Sequence, residues 1–287
     1  MNLLEKALFE TNAIKAANET KPFWYTSGTI GAYFINTHFL YGGEKEANDL
    51  LAFIDANLSD PQKLSQKLWD KVIGFYKSNE LFRNIADFFY DGIKENPKFK
   101  DSDYVSGGER RDWFFSIVVA HLSQKEHLFI FKDLSVFTKD KTVEDLGGKK
   151  VSHIADLITQ ASSYERAWIP AISKINGDFV FSASVVDRNQ GGKDFLLSNK
   201  IESYSSIVIG EAFFRTALEN GSINEKQFKQ INEFTNNPDD YGRNFLLNNL
   251  DFLKESLKSS DKSTASKAKR CVDENPYKIN FNNFNLF

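Results

Sequence analysis

The sequence predicts an α/β protein: a mainly parallel sheet flanked by helices, with an N-terminal hood and additional helices. Three observations carry this. Between Lys149 and Leu197 an apolar run (Val151 to Ala155) leads into a polar, small-residue loop, a helical segment, a second apolar run (Phe179 to Val186) and a polar turn, the order of a βαβ unit. A second strand-to-loop-to-helix junction lies at Tyr104 to Asp112, before the strongly apolar Trp113 to Leu122. From Glu44 to about Asn96 apolar residues recur at three- and four-residue spacing, a helical period without strand alternation. In a βαβ unit the loop after the first strand lies at the carboxyl edge of the sheet, where helix N-terminal N–H groups can hold an anion.

Taken in order, residues 1–20 read as one amphipathic helix. Phe23 to Asn36 follows as two short extended pieces around the Ser27-Gly28 turn. These form an N-terminal helix and hood (1–43), ahead of a helical insertion (44–103), an α/β core (104–210) and a C-terminal helical extension (211–287). In the insertion, Asp60-Pro61 marks a helix start, with Asp as cap and Pro at the first helical position. In the core, His127 to Phe131 reads as a strand running into Lys132-Asp133, and 137–148 as a polar, lysine-bearing loop or short hairpin. The strand at Val151 is expected to end at Ala155, with Asp156 to Ser163 as the loop and Tyr164 to Lys174 as the helix. Beyond the turn at Asp187 to Lys193 come a helix, a short strand at Tyr204 to Ile209 and two helices to Phe234. The pattern breaks at Asn236-Asn237-Pro238 and resumes from Tyr241 to Leu257. Ser259 to Lys269, rich in Lys and Ser, reads as a linker or frayed helix, and Phe281, Phe284, Leu286 and Phe287 as a tail docking back.

Composition narrows the function classes. The 287 residues are 41% hydrophobic and 26% charged, ordinary for a globular domain. A formal net charge of −3 argues against a general nucleic-acid binder. A single cysteine, Cys271, excludes an intramolecular disulfide and a cysteine-rich zinc site. No long apolar run suits a membrane span, and the start shows no signal-peptide pattern, so a cytoplasmic protein is expected. The four histidines, His38, His121, His127 and His153, show no close pairing, and His153 is expected to be buried. There is no Gly-x-Ser-x-Gly elbow and no Walker loop.

Two stretches offer chemistry. Gly107-Gly108-Glu109-Arg110-Arg111 places a Gly-Gly pair, which lets backbone approach a ligand, beside two arginines able to clamp phosphate or carboxylate; the alternative is a helix start with solvated charges. The loop headed by Asp156 carries the hydroxyls of Thr159, Ser162 and Ser163, and its N–H groups can form an anion nest; the alternative is an ordinary capped helix start. Asp156 can face ribose hydroxyls or Mg²⁺.

Three stretches, in order, resemble the type I phosphoribosyltransferases, most closely those that use orotate. Ser27-Gly28-Thr29-Ile30-Gly31-Ala32-Tyr33-Phe34 is similar to the family's Ser-Gly-x-x-Ser-Pro-Tyr-Phe segment. Ile154 to Ser163 is similar to its phosphoribosyl-pyrophosphate loop, and Val185-Val186-Asp187-Arg188-Asn189-Gln190-Gly191-Gly192 to its Val-Asp-Arg-x-x-Gly-Gly stretch. The resemblance implies transfer of ribose 5-phosphate from phosphoribosyl pyrophosphate to orotate or a related pyrimidine base, with Mg²⁺, in a homodimer; charge and composition give the expectation of no nucleic-acid or membrane partner. It implies that Thr159, Gln160, Ala161, Ser162 and Ser163 hold the 5-phosphate and that Asp156 holds the ribose hydroxyls. Lys132, Lys139 and Lys141, with Arg110 or Arg111, would meet the pyrophosphate, and Arg188 and Phe34 the base. The protein alone supplies no metal site, Asp156 reaching one through water. The pattern departs at Ala155, which replaces the first loop acid, at Gln160, Ala161 and Ser162, and in the missing loop histidine. These departures leave open an alternative, a protein that binds a nucleotide or phosphoribosyl pyrophosphate as a sensor without turnover.

Overall fold

The computed structural model describes residues 1–281 and residue 284. In chain order the elements are α1 (Leu3–Glu10), β1 (Ile14–Ala16), β2 (Phe23–Trp24), β3 (Ile30–Gly31) and β4 (Tyr33–Ile35). Then come α2 (Glu44–Asn57), α3 (Pro61–Ser78), α4 (Glu80–Ile93), α5 (Pro97–Lys100), β5 (Tyr104–Gly108), α6 (Trp113–Ser123), β6 (Glu126–Ile130) and β7 (Val136–Phe137). After β8 (Lys150–Ile158), α7 (Ile169–Lys174), β9 (Asp178–Asp187), α8 (Gly192–Ser198) and β10 (Glu202–Val208) the chain is helical. Those helices are α9 (Glu211–Glu219), α10 (Glu225–Asn236), α11 (Pro238–Asn248), α12 (Leu250–Leu257) and α13 (Lys262–Glu274). They divide into two compact units: Met1–Ala13 with Asn36–Ile209, and Ile14–Ile35 with Gly210–Phe287.

The first unit holds a six-stranded sheet in the order β10-β9-β8-β5-β6-β7. All neighbours are parallel except the edge strand β7, which pairs antiparallel with β6. The expected α/β class is therefore observed. β5, β8 and β9 are buried along most of their length, as strands covered on both faces must be. β8 corrects one expectation: it does not stop at Ala155 but runs on to Ile158, paired with β9 down to Ile158↔Asp187. Asp156 looks like a loop residue in sequence, yet Ile158 is buried and the parallel ladder holds the whole segment extended. The helices of the insertion form as read, with Asp60 accepting the Lys63 N–H and Pro61 at the first turn. Helix α1 is shorter than expected: it ends at Glu10, and Asn12 takes a left-handed φ of 57° that no helix continues through.

The second unit has two small antiparallel pairs, β1–β4 and β2–β3. The turn between β2 and β3 uses Gly28 at φ 79°, as the Ser-Gly signal indicates. Trp24 stacks on Phe252 with ring centres 5.5 Å apart and donates through Nε1 to Ser256 Oγ. The expected single helix from Tyr241 to Leu257 divides at Asn249, whose backbone is not helical. Ser259 to Lys269 is not a linker: from Lys262 it lies in α13, capped by Asp261 and burying Ala268 and Cys271 completely. The two buried side chains, three residues apart, give a lysine-rich segment the apolar stripe it needs, and burial pushes the Cys271 thiol up to about 12. Of the expected docking tail, Leu286 and Phe287 lie outside the described residues.

Candidate functional site

Chain order fixes where the sheet opens. From β5 the chain steps outward to β6, and β8 then pairs on the other side of β5. The carboxyl ends of β5 and β8 therefore flank a topological switch point, the place where open α/β sheets bind ligands. The two strands pair only as far as Ser106↔His153. Beyond that pair lies a crevice of about 260 Å³, lined from one side by Glu109 to Asp112 and from the other by Ala155 to Tyr164, with Trp168.

On the β8 side the sequence-predicted loop residues Thr159, Gln160, Ala161, Ser162 and Ser163 all line the crevice. Gln160, Ser162 and Ser163 are exposed, whereas Ala161 is buried in the apolar cluster with Tyr164 and Trp168. Ala161 takes φ 57°, the left-handed region where a Cβ is costly. The following segment opens as a π turn, Tyr164–Trp168, before α7. The Asp187-to-Gly192 turn supports this loop from behind. Arg188 N–H donates to Ile158 C=O at 2.9 Å, and Gly192 N–H to Thr159 C=O at 2.9 Å.

Asp156 and Asp112 are each only 7% exposed and meet in the crevice. Asp112 Oδ1 accepts the Asp156 N–H at 3.1 Å, and Oδ2 accepts the Gly108 N–H at 3.2 Å. Burial first, and the neighbouring Asp112 charge second, raise the Asp156 carboxyl well above the usual carboxylate range, against the opposing pull of Arg111. His153 lies beneath, fully buried as expected. Its Nδ1 shares a hydrogen bond with Ser106 Oγ at 2.9 Å, and its ring stacks on Trp168. Its Nε2 stands 3.4 Å from Asp112 Oδ2 but has no hydrogen-bond partner among the described residues.

The predicted cations separate. Arg111 lines the crevice and makes no ion pair among the described residues. Arg110 also lines it but is paired with Asp55 of α2. Lys132 lies at its rim: its Nζ is 3.4 Å from Glu109 Oε1, and its N–H donates to Glu109 Oε2 at 3.1 Å. Lys139 and Lys141 are not among the lining residues. Because β7 runs antiparallel to β6, with Ile130↔Val136 and Phe129↔Phe137, the chain after Phe137 turns back toward the amino end of β6. Gln62 Nε2 donates to the Lys139 C=O at 2.9 Å, and the Lys139 ammonium stands over the Trp69 ring. Arg188 is half-buried, its Nε without a partner among the described residues, and does not line the crevice. Phe34 belongs to the second unit, where it packs edge-on against Phe23.

Gly107 and Gly108 correct a second expectation. Their missing Cβ atoms make room for protein, not ligand: at Gly107 a Cβ would stand 2.1 Å from Ser116 Oγ, and at Gly108 2.1 Å from the Trp168 ring. Sequence reading missed Asp112, Glu109 and Trp168 as crevice residues. An acid before an apolar helix reads as its cap, but Asp112 makes no side-chain cap bond.

No protein-family model matches the sequence, and no curated protein matches it. Among solved structures, UMP synthase from Leishmania donovani aligns at a TM-score of 0.54 and 14% identity, over 80% of this chain and 41% of that one. Orotate phosphoribosyltransferase from Aeropyrum pernix aligns at 0.45 and 17%, over 77% and 99%. Adenine phosphoribosyltransferase from Thermoanaerobacter pseudethanolicus aligns at 0.38 and 14%, over 46% and 83%. The chain thus spans about two-fifths of the UMP synthase it matches. The fold is that of the type I phosphoribosyltransferases. Among the described residues no helix is long and apolar enough to cross a membrane.

Proposed function

We propose that the crevice binds a 5-phosphoribosyl ligand and that the protein is a phosphoribosyltransferase, moving ribose 5-phosphate from phosphoribosyl pyrophosphate to orotate or a related pyrimidine base. The observation that carries this reading is the convergence of the hydroxyl loop Thr159 to Ser163, Asp156 and Arg111 on one crevice at the switch point. In it, the loop hydroxyls and N–H groups take the 5-phosphate, Asp156 the ribose diol, and Arg111 with Lys132 the pyrophosphate. The C1–O bond to pyrophosphate breaks, the leaving group keeps the electron pair, and a base nitrogen forms the new bond to C1. The protein's contribution is positioning and neutralisation of charge. Among the described residues no cluster of three His, Cys, Asp or Glu could hold a metal ion; Asp156 would be the residue to hold, through water, a Mg²⁺ accompanying the diphosphate, whose charge the ion would neutralise. The same reading includes a homodimer, whose second copy brings further cations to the pyrophosphate.

One set of observations favours a sensor without turnover. Ala155 sits in the apolar cluster, and neither Lys139 nor Lys141 lines the crevice. Calorimetric titration with phosphoribosyl pyrophosphate and Mg²⁺, followed by orotate and a pyrophosphate assay, separates the two readings. Binding with pyrophosphate release is expected; binding without release for any base tried would establish the sensor, and no binding would remove both.

A further inference from the structure

The β5–β8 ladder ends at Ser106↔His153. Past that pair one carboxylate takes over. Asp112 accepts the Gly108 N–H with one oxygen and the Asp156 N–H with the other. Each amide stands at the threshold of one crevice wall: Gly108 precedes Glu109 to Arg111, and Asp156 precedes Thr159 to Ser163. Asp112 itself opens α6, whose first turn is fully buried. The carboxylate is therefore held by its own helix and cannot follow either strand independently.

We infer that Asp112 is a positioning residue, a strut that replaces the sheet ladder at the mouth of the crevice and fixes the spacing between its two walls. A carboxylate suits this place because both of its oxygens only accept. Two N–H groups converging from different strands need two acceptors on one rigid group, and charge-assisted acceptance strengthens both bonds. The walls are then held at one spacing, so a ligand that reaches both the hydroxyl loop and the arginine wall meets groups already placed for it.

The substitution Asp112→Asn tests this at nearly constant shape. The amide keeps one acceptor and turns an NH₂ toward the other N–H, so one buried donor loses its partner. Amide hydrogen exchange by NMR on the full chain, without ligand, is the first readout. Gly108 and Asp156 should both be slow in the wild type, and at least one should exchange about tenfold faster in the variant, the loss of one buried hydrogen bond. Wild-type exchange at both positions would overturn the strut. The second readout rests on the function proposed above: titration of phosphoribosyl pyrophosphate, which would reach both walls, beside ribose 5-phosphate and inorganic pyrophosphate, which would each reach one. D112N should lose about tenfold more affinity for phosphoribosyl pyrophosphate than for either smaller ligand. An equal change for all three would overturn the positioning role even with altered exchange. A wild-type chain that binds none of them would remove the ligand reading, while the exchange rates still decide the strut. Asp112→Ser, which retains an acceptor on a shorter side chain, should fall with D112N in exchange; if it behaves as wild type, the two-acceptor argument fails.

Discussion

Two glycine pairs look alike in the sequence and do opposite work. Gly107-Gly108 ends β5 beside two arginines, and Gly191-Gly192 follows the Asp187-Arg188 turn. The first pair is consumed by side-chain packing: Ser116 and Trp168 occupy the space that its Cβ atoms would need. The second pair shapes backbone. Gly191 takes φ 92°, and Gly192 lies so close to β8 that a Cβ would stand 2.7 Å from the Thr159 carbonyl and 2.6 Å from the Ile158 side chain. A Gly-Gly pair therefore signals close approach, but not what approaches. Only the second pair is coupled directly to the hydroxyl loop.

The largest expected effect breaks the first pair. Gly108→Ala forces a methyl into the indole of Trp168, and we expect a loss of about 3 kcal/mol in denaturant unfolding. Adding Trp168→Phe should recover much of it, and no recovery would mean that Trp168 is not the obstacle. Gly192→Ala comes next, at about 2 kcal/mol, with a sharper signature. Because Gly192 donates to Thr159, ribose 5-phosphate affinity should fall more than pyrophosphate affinity, whereas Gly108→Ala should lower both.

Acid separates the two pairs by a different route. Ser116, which crowds Gly107, hydrogen-bonds His127 Nε2 at 2.8 Å, and burial pushes that imidazole down to about 3. A depressed histidine stabilises the fold above its unfolded value, about 6.5, and this contribution is lost as pH falls toward 3. Stability should therefore decline below about pH 6.5, and His127→Gln should flatten that slope in unfolding curves measured at several pH values. Asp156 slopes the other way. Its raised carboxyl contributes stability that is full below its unfolded value and lost as pH rises through its folded value, so Asp156→Asn should steepen the acid decline. The smallest effect is Gly191→Ala, about 1 kcal/mol for a Cβ at positive φ with open space around it. A neutral outcome would mean that the turn relaxes freely.

Much of the fold is legible locally because it rests on local physics. The helices of 44–96 carry their own period and their own cap at Asp60, and α6 and β9 announce themselves as apolar runs with turn residues at their ends. The hydroxyl loop was readable as a segment, since polar small residues separate strand from helix, but its start was not, because Asp156 to Ile158 is held in β8 by pairing with β9. The sequence left Ser259 to Lys269 open between a linker and a frayed helix, because the partners that cover Ala268 and Cys271 come from elsewhere in the chain. Nor could it place Lys139. Its position follows from the antiparallel register of a two-residue edge strand, and register is a property of pairing.

By itself, then, the sequence determined the α/β class, the order of its elements and the hydroxyl wall of the crevice, all of which depend on neighbours within a few residues. Only the tertiary structure decided the opposite wall. It set Asp112 against Asp156, left Arg111 in the crevice while Arg110 paired with Asp55, and gave the first glycine pair to Trp168. Each of these depends on groups tens of residues apart, and strand order is what brings such groups within a hydrogen bond of each other.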